Sequence, residues 1–191
     1  MFCEIFPQLA DQLDRQHPDD APLFGRDWSE PLPLRGAHAP LAWREGRFAR
    51  ALLTEHGIEL QLPERADDRR ARAALRDFYL QQARTDLGAW LPRYLPALPR
   101  PPSALRLRPL SSLWGSLSPG DAVSLDLALV LGRPSAFEYV LVHELCHLLH
   151  ADHSPRFWRE VEARWPHWRD ERDYLRGEGL AIKAALARLT A

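Results

Sequence analysis

Two cysteines, Cys3 and Cys146, one methionine, Met1, and one lysine, Lys183, are all that 191 residues contain of these three types. Two cysteines so far apart cannot form the disulfide framework that staples small secreted folds, so a reducing, cytoplasmic setting is expected. Long apolar runs are also missing: none approaches the ~20 residues of a membrane span. The N-terminus, Met1 to Pro7, lacks a basic segment, carries Glu4 and breaks at Pro7, so it does not read as a signal peptide. Nor is there an excess of charge, because 25 basic residues stand against 26 acidic ones for a net charge of −1. That balance provides no broad positive field for nucleic acid and no polybasic stretch for an anionic membrane, and neither is expected as a partner. What the chain has is 46% apolar and 27% charged residues, enough for a core, in a length that suits one domain of ~100 to 200 residues.

Residues 2–16 place Phe6, Leu9 and Leu13 on one side of a possible short helix that Pro7 interrupts. From 17 to 46, repeated proline and glycine break every period, which predicts irregular cover with one short strand; residues 1–46 are read as a covering segment and 47–191 as the domain proper. Two strands are expected over 47–54 and 58–62, around Glu55-His56-Gly57. Residues 66–91 carry Leu75, Phe78, Tyr79, Ala83, Leu87, Trp90 and Leu91 at helical spacing, open with Asp67 and Asp68, and are expected to stop at Pro92. A hairpin is expected over 112–117 and 123–127, through a type II turn at Ser118-Pro119-Gly120-Asp121. In its second strand Val123, Leu125 and Leu127 alternate with Ser124 and Asp126.

The informative segment runs from Ser135 to Trp158. Ser135 and Glu138 have capping-box spacing, and an apolar helix of about 135–150 follows, broken only by Glu138, His143, Glu144, His147 and His150. Leaving such a stripe buried and unpaired would cost several kcal/mol. A cation satisfies it. His143 and His147 are one turn apart, so both rings reach one metal ion, while Glu144, rotated by ~100°, is placed to handle the proton of a water. Zinc makes such a water acidic, which is the chemical sense of the H-E-x-x-H spacing.

This pattern would arise by chance in a chain of this composition with a probability of roughly 0.02. Requiring His153, six residues after His147, lowers the figure to about 0.001. Ser154 as N-cap and Pro155 at the first helical position would end the first helix and start a second, leaving His153 at the corner. His150 and the later Glu160 and Glu162 are alternative third ligands, and Cys146 reads as a small core residue. His17, His38, His56 and His167 have no ligand-like spacing, and Trp158, Trp165 and Trp168 read as core.

The runs Trp114-Gly115-Ser116, Tyr139 to His147 and His153-Ser154-Pro155-Arg156-Phe157-Trp158, with Pro166 and Tyr174, resemble the YgjP-like metallopeptidases, relatives of the SprT-like and WLM families. The likeness is strong over about 105–176. It implies one zinc ion on His143, His147 and His153, Glu144 as catalytic base, and a peptide or protein substrate. Leu113 and Leu117 stand where that family usually has Arg and Cys, and Leu125-Asp126-Leu127-Ala128 where it usually has Leu-Asn-Trp-Arg. Metzincins are excluded, since the one methionine is Met1. The expectation is therefore an α+β, zincin-like single domain with a small, mostly antiparallel sheet, an active-site helix and C-terminal helices closing the cleft. The strand just before that helix is expected to offer an edge to peptide, and His150, His167 and Tyr174 are candidates to stabilise an oxyanion. The alternatives are a nucleotide or phosphoanhydride hydrolase using the same water, and a non-catalytic binding module in which His150 or Glu160 closes a structural zinc site.

Overall fold

A computed structural model describes residues 22–191, so the possible helix at 2–16, Cys3 and His17 lie outside the described residues. Among the described residues, eight short strands and four α-helices form an α+β arrangement. Strands β1 (Leu32–Leu34) and β2 (Ala37–Ala39) form an antiparallel hairpin. Strands β3 (Leu41–Glu45), β4 (Arg50–Thr54) and β5 (Gly57–Leu62) form a sheet of order β3-β5-β4, with β3 parallel and β4 antiparallel to β5. A third sheet, order β6-β8-β7, joins β6 (Ala104–Arg108), β7 (Gly115–Leu117) and β8 (Ala122–Asp126). Three of the five strand pairings are antiparallel.

The stretch read as irregular with one strand thus carries three. Of its prolines, Pro33 falls within a two-stranded hairpin and Pro40 between strands, where a missing N–H is tolerated.

Helix α1 (Asp68–Tyr94) starts where expected, the Asp67 side chain capping the Arg70 N–H. It does not stop at Pro92 but continues to Tyr94, because Arg93 and the Tyr94 hydroxyl are both held by Glu138. The hairpin turn also differs from expectation. Asp121 N–H bonds to the Ser118 carbonyl, but positive φ falls on Asp121 (59°) and not on Gly120. This is a turn followed by a left-handed residue, and Arg100 holds the Asp121 carboxylate.

Helices α2 (Pro134–Cys146), α3 (Pro155–Arg164) and α4 (Trp168–Thr190) complete the chain. No described helix is long and apolar enough to cross a membrane. Every residue of α2 from Ala136 to Cys146 is buried, with α4, α3, β7 and β8 against it. Strand β8 is buried along its whole length instead of on alternate positions, since it is the central strand and both faces are covered. Leu127 lies beyond it in a 3-10 turn, Leu127–Val130.

One ion pair fixes how α4 meets this sheet. Lys183, the chain's one lysine, donates to Asp126 and to the carbonyls of Leu110 (2.7 Å) and Leu113 (3.0 Å), with its ammonium 4.3 Å from the Trp114 ring. Burial draws the ammonium down and the Asp126 carboxyl up from their ordinary values, and the opposite charge of each partner offsets only part of the other's shift. Trp114 fits because α4 has Gly179 beneath it: a methyl group there would lie 2.5 Å from the indole. Lys183→Met should cost about 3–5 kcal/mol in urea denaturation by stranding a buried carboxylate, and adding Asp126→Asn should recover a large part of the loss. A single variant as stable as the parent would contradict this.

Candidate metal centre

Helix α2 begins with Pro134 at its first position and Arg133 as N-cap. The expected capping box does not form, because neighbouring helices take both partners. Ser135 Oγ donates to Glu171 (3.1 Å), and Glu138 accepts from the Tyr94 hydroxyl (2.6 Å) beside Arg93. Glu138 is thus accounted for away from the other polar residues. The helix ends at Cys146, not at 150. His147, Leu148 and Leu149 donate to carbonyls three residues back, a tightening that turns the chain toward the corner. Beyond the corner α3 starts as expected, with Ser154 as N-cap and Pro155 first.

This path brings His143, His147 and His153 together, one nitrogen from each lying within 4.8 Å of the others. His143 Nε2 and His153 Nε2 are 3.1 Å apart, close to the ~3.4 Å expected of two nitrogens around a tetrahedral zinc ion. The His147 Nδ1–H donates to the His150 carbonyl (3.1 Å), which leaves the lone pair on Nε2. Phe157 packs among the three rings, stacked on His147 at 4.4 Å and edge-on to His143 and His153 at 4.8 Å. His143 is fully buried and His153 exposed, so the site opens on the His153 side.

Burial holds the His143 pKa well below its ordinary value, brings His147 down to about 4, and lowers His153. All three rings are neutral at pH 7, the state in which imidazole binds metal. Glu144 is completely buried, and neither carboxylate oxygen has a hydrogen-bond partner among the described residues. Burial pushes its pKa well up. Gly115 lies against this carboxylate, where a methyl group would sit 2.6 Å from Oε1. Three neutral imidazoles beside an unpaired carboxyl suit zinc, whereas magnesium and calcium prefer oxygen donors.

The remaining candidates fall elsewhere. His150 contributes its backbone carbonyl and its ring is not in the cluster. Glu160 pairs with Arg164, and Glu162 with Arg169. The Cys146 thiol is buried and pushed up to about 12. His167 is exposed beside Asp170. Tyr174 accepts from the Arg133 N–H at the start of α2, about 15 Å along the helix from His143, which removes it as an oxyanion group. The expected peptide edge also moves: β8, the strand just before the active-site helix, is central, and the edge beside Glu144 is β7.

Residues 7–178 match the YgjP-like metallopeptidase domain. The chain belongs to that family. Among curated proteins none matches it. Among solved structures, this YgjP-like chain is similar to the metallopeptidase zymogen of Pyrococcus abyssi abylysin, at 27% identity and a TM-score of 0.38 over 54% of this chain and 93% of that one.

Sequence reasoning missed Phe157 as the packing centre, Gly115 as the wall of Glu144, and the His150 carbonyl. Gly115 was signalled by its place in the Trp114-Gly115-Ser116 run, but the other two contacts depend on how the corner folds.

The raised pKa of Glu144 gives a test that needs no substrate. Between its unfolded and folded values the folded state binds more protons, so this group's contribution to stability falls as pH rises through that window. Metal-free Glu144→Gln should therefore melt higher than the metal-free parent, by on the order of 5 °C at pH 8, with the difference shrinking toward pH 4.5. A difference independent of pH would contradict the assignment.

Proposed function

We propose that this YgjP-like metallopeptidase domain hydrolyses peptide bonds with one zinc ion held by His143, His147 and His153, and with Glu144 as general base and then acid. The observation that carries the reading is the convergence of three imidazole nitrogens within 4.8 Å beside a buried carboxyl without a hydrogen-bond partner among the described residues. When bound, the ion supplies Lewis acidity, which polarises a carbonyl and lets water act as a nucleophile near neutral pH.

The chain's own groups do the rest. Glu144 takes the proton from the attacking water and returns it to the departing amine nitrogen; a carboxyl with a raised pKa can serve in both directions. Gly115, by lacking a side chain, leaves room for the Glu144 carboxylate, since a methyl group there would collide with Oε1. Strand β7 forms the near edge of its sheet and can pair with an extended peptide beside Glu144. Phe157 holds the rings in register, and Trp158, stacked on Trp168 at 4.3 Å, walls the His153 side.

The other readings have less support. A phosphoanhydride substrate calls for clustered cations, but Arg133 is engaged by Glu171 at the far end of α2, which leaves Arg156. A closed structural site needs a fourth side chain, and Glu160 is already paired.

Glu144→Gln should retain zinc and lose about 10²–10⁴-fold in peptide hydrolysis, while His153→Ala should lose zinc as well as activity. Casein or mixed-peptide cleavage, with metal content measured on the same samples, checks both. Undiminished cleavage by Glu144→Gln would overturn the mechanism.

A further inference from the structure

The sheet that carries the site has a second edge, remote from Glu144. Strand β6 pairs with β8 alone, and no backbone hydrogen bond joins residues 104–108 to any described residue outside β8. Its outer side borders a cleft of about 480 Å³ floored by Leu87 and Leu91 of α1 and Leu105 and Leu107 of β6, with Arg84 and Arg106 lining it. At Gly88 an added methyl group would meet no atom within 4 Å, so helix and strand stand apart there.

Along β6 the side chains alternate, Leu105 and Leu107 half-buried and Arg106 and Arg108 exposed. Arg84, Arg106 and Arg108 have no ion pair or hydrogen-bond partner among the described residues, whereas Arg100 is engaged by Asp121 and Arg133 by Glu171. Among the described residues, an unpaired row of N–H and C=O groups, an apolar row and a cationic row therefore lie side by side.

We propose that β6 and the facing surface of α1 dock an extended segment of a partner protein in which apolar and acidic residues alternate, added as a fourth strand. Its backbone would complete the β6 ladder, its apolar side chains would cover Leu105 and Leu107, and its carboxylates would meet Arg106 and Arg108. A second copy of this chain does not fit, because pairing β6 with itself brings arginine rows together. Nucleic acid fits less well, since phosphates leave both the strand edge and the leucine row unused. The proposal does not rest on the catalytic reading, and β6 lies on the opposite side of the sheet from β7.

The test is a titration of a fluorescein-labelled eight-residue peptide of alternating Leu and Glu into the full chain carrying Glu144→Gln, followed by fluorescence anisotropy and amide hydrogen exchange. The expected result is saturable binding that weakens at least tenfold in Arg106→Glu/Arg108→Glu, with new exchange protection at residues 104–108 and none at 115–117. An alternating Leu and Lys peptide should bind the charge-reversed variant better than the parent. No binding, binding unchanged by the reversal, protection at 115–117 alone, or equal displacement by a single-stranded oligonucleotide would each overturn the proposal.

Discussion

A helix buried on every side has to keep two imidazoles and a carboxyl away from water, and the architecture around the site answers to that constraint. Charged forms are penalised there, so His143 and His147 are pushed toward the neutral state and Glu144 toward the protonated one. Such a group of side chains is costly for an empty fold and well prepared for a cation. His153, arriving from the corner after α2, brings a third, exposed imidazole nitrogen within 4.8 Å of the other two, and Phe157 packs against all three rings.

The protein supports this arrangement from behind. Trp114 and Gly115 are consecutive, and they face opposite tasks: the indole seals the sheet against Gly179 and Lys183, while the glycine leaves room for the carboxylate. Lys183 gathers Asp126 and two carbonyls of the segment leading into β7. That contact ties α4 to the strand edge beside Glu144.

What was legible in the sequence was local. The turn of helix between His143 and His147 and the Ser154-Pro155 start of α3 are fixed by neighbours within a few residues, and both stand as read. The long helix was legible from its period, though its last turn was not, because Glu138 holds Arg93 and Tyr94 from 44 or more positions away. The same remoteness explains the failed capping box: Ser135 finds Glu171, and nothing near position 135 announces it. Strand order is a property of the whole chain, so β8 could be recognised as a strand but not as a central one. The turn at 118–121 failed for a smaller reason, since aspartate tolerates the left-handed region well enough to take it in place of glycine.

The most direct test of the central claim is anomalous diffraction at the zinc edge from crystals of the purified protein. The account predicts one peak, ~2.0–2.1 Å from one nitrogen each of His143, His147 and His153, with Glu144 outside the coordination shell. No peak, or a shell that includes His150 or Glu160, would contradict it.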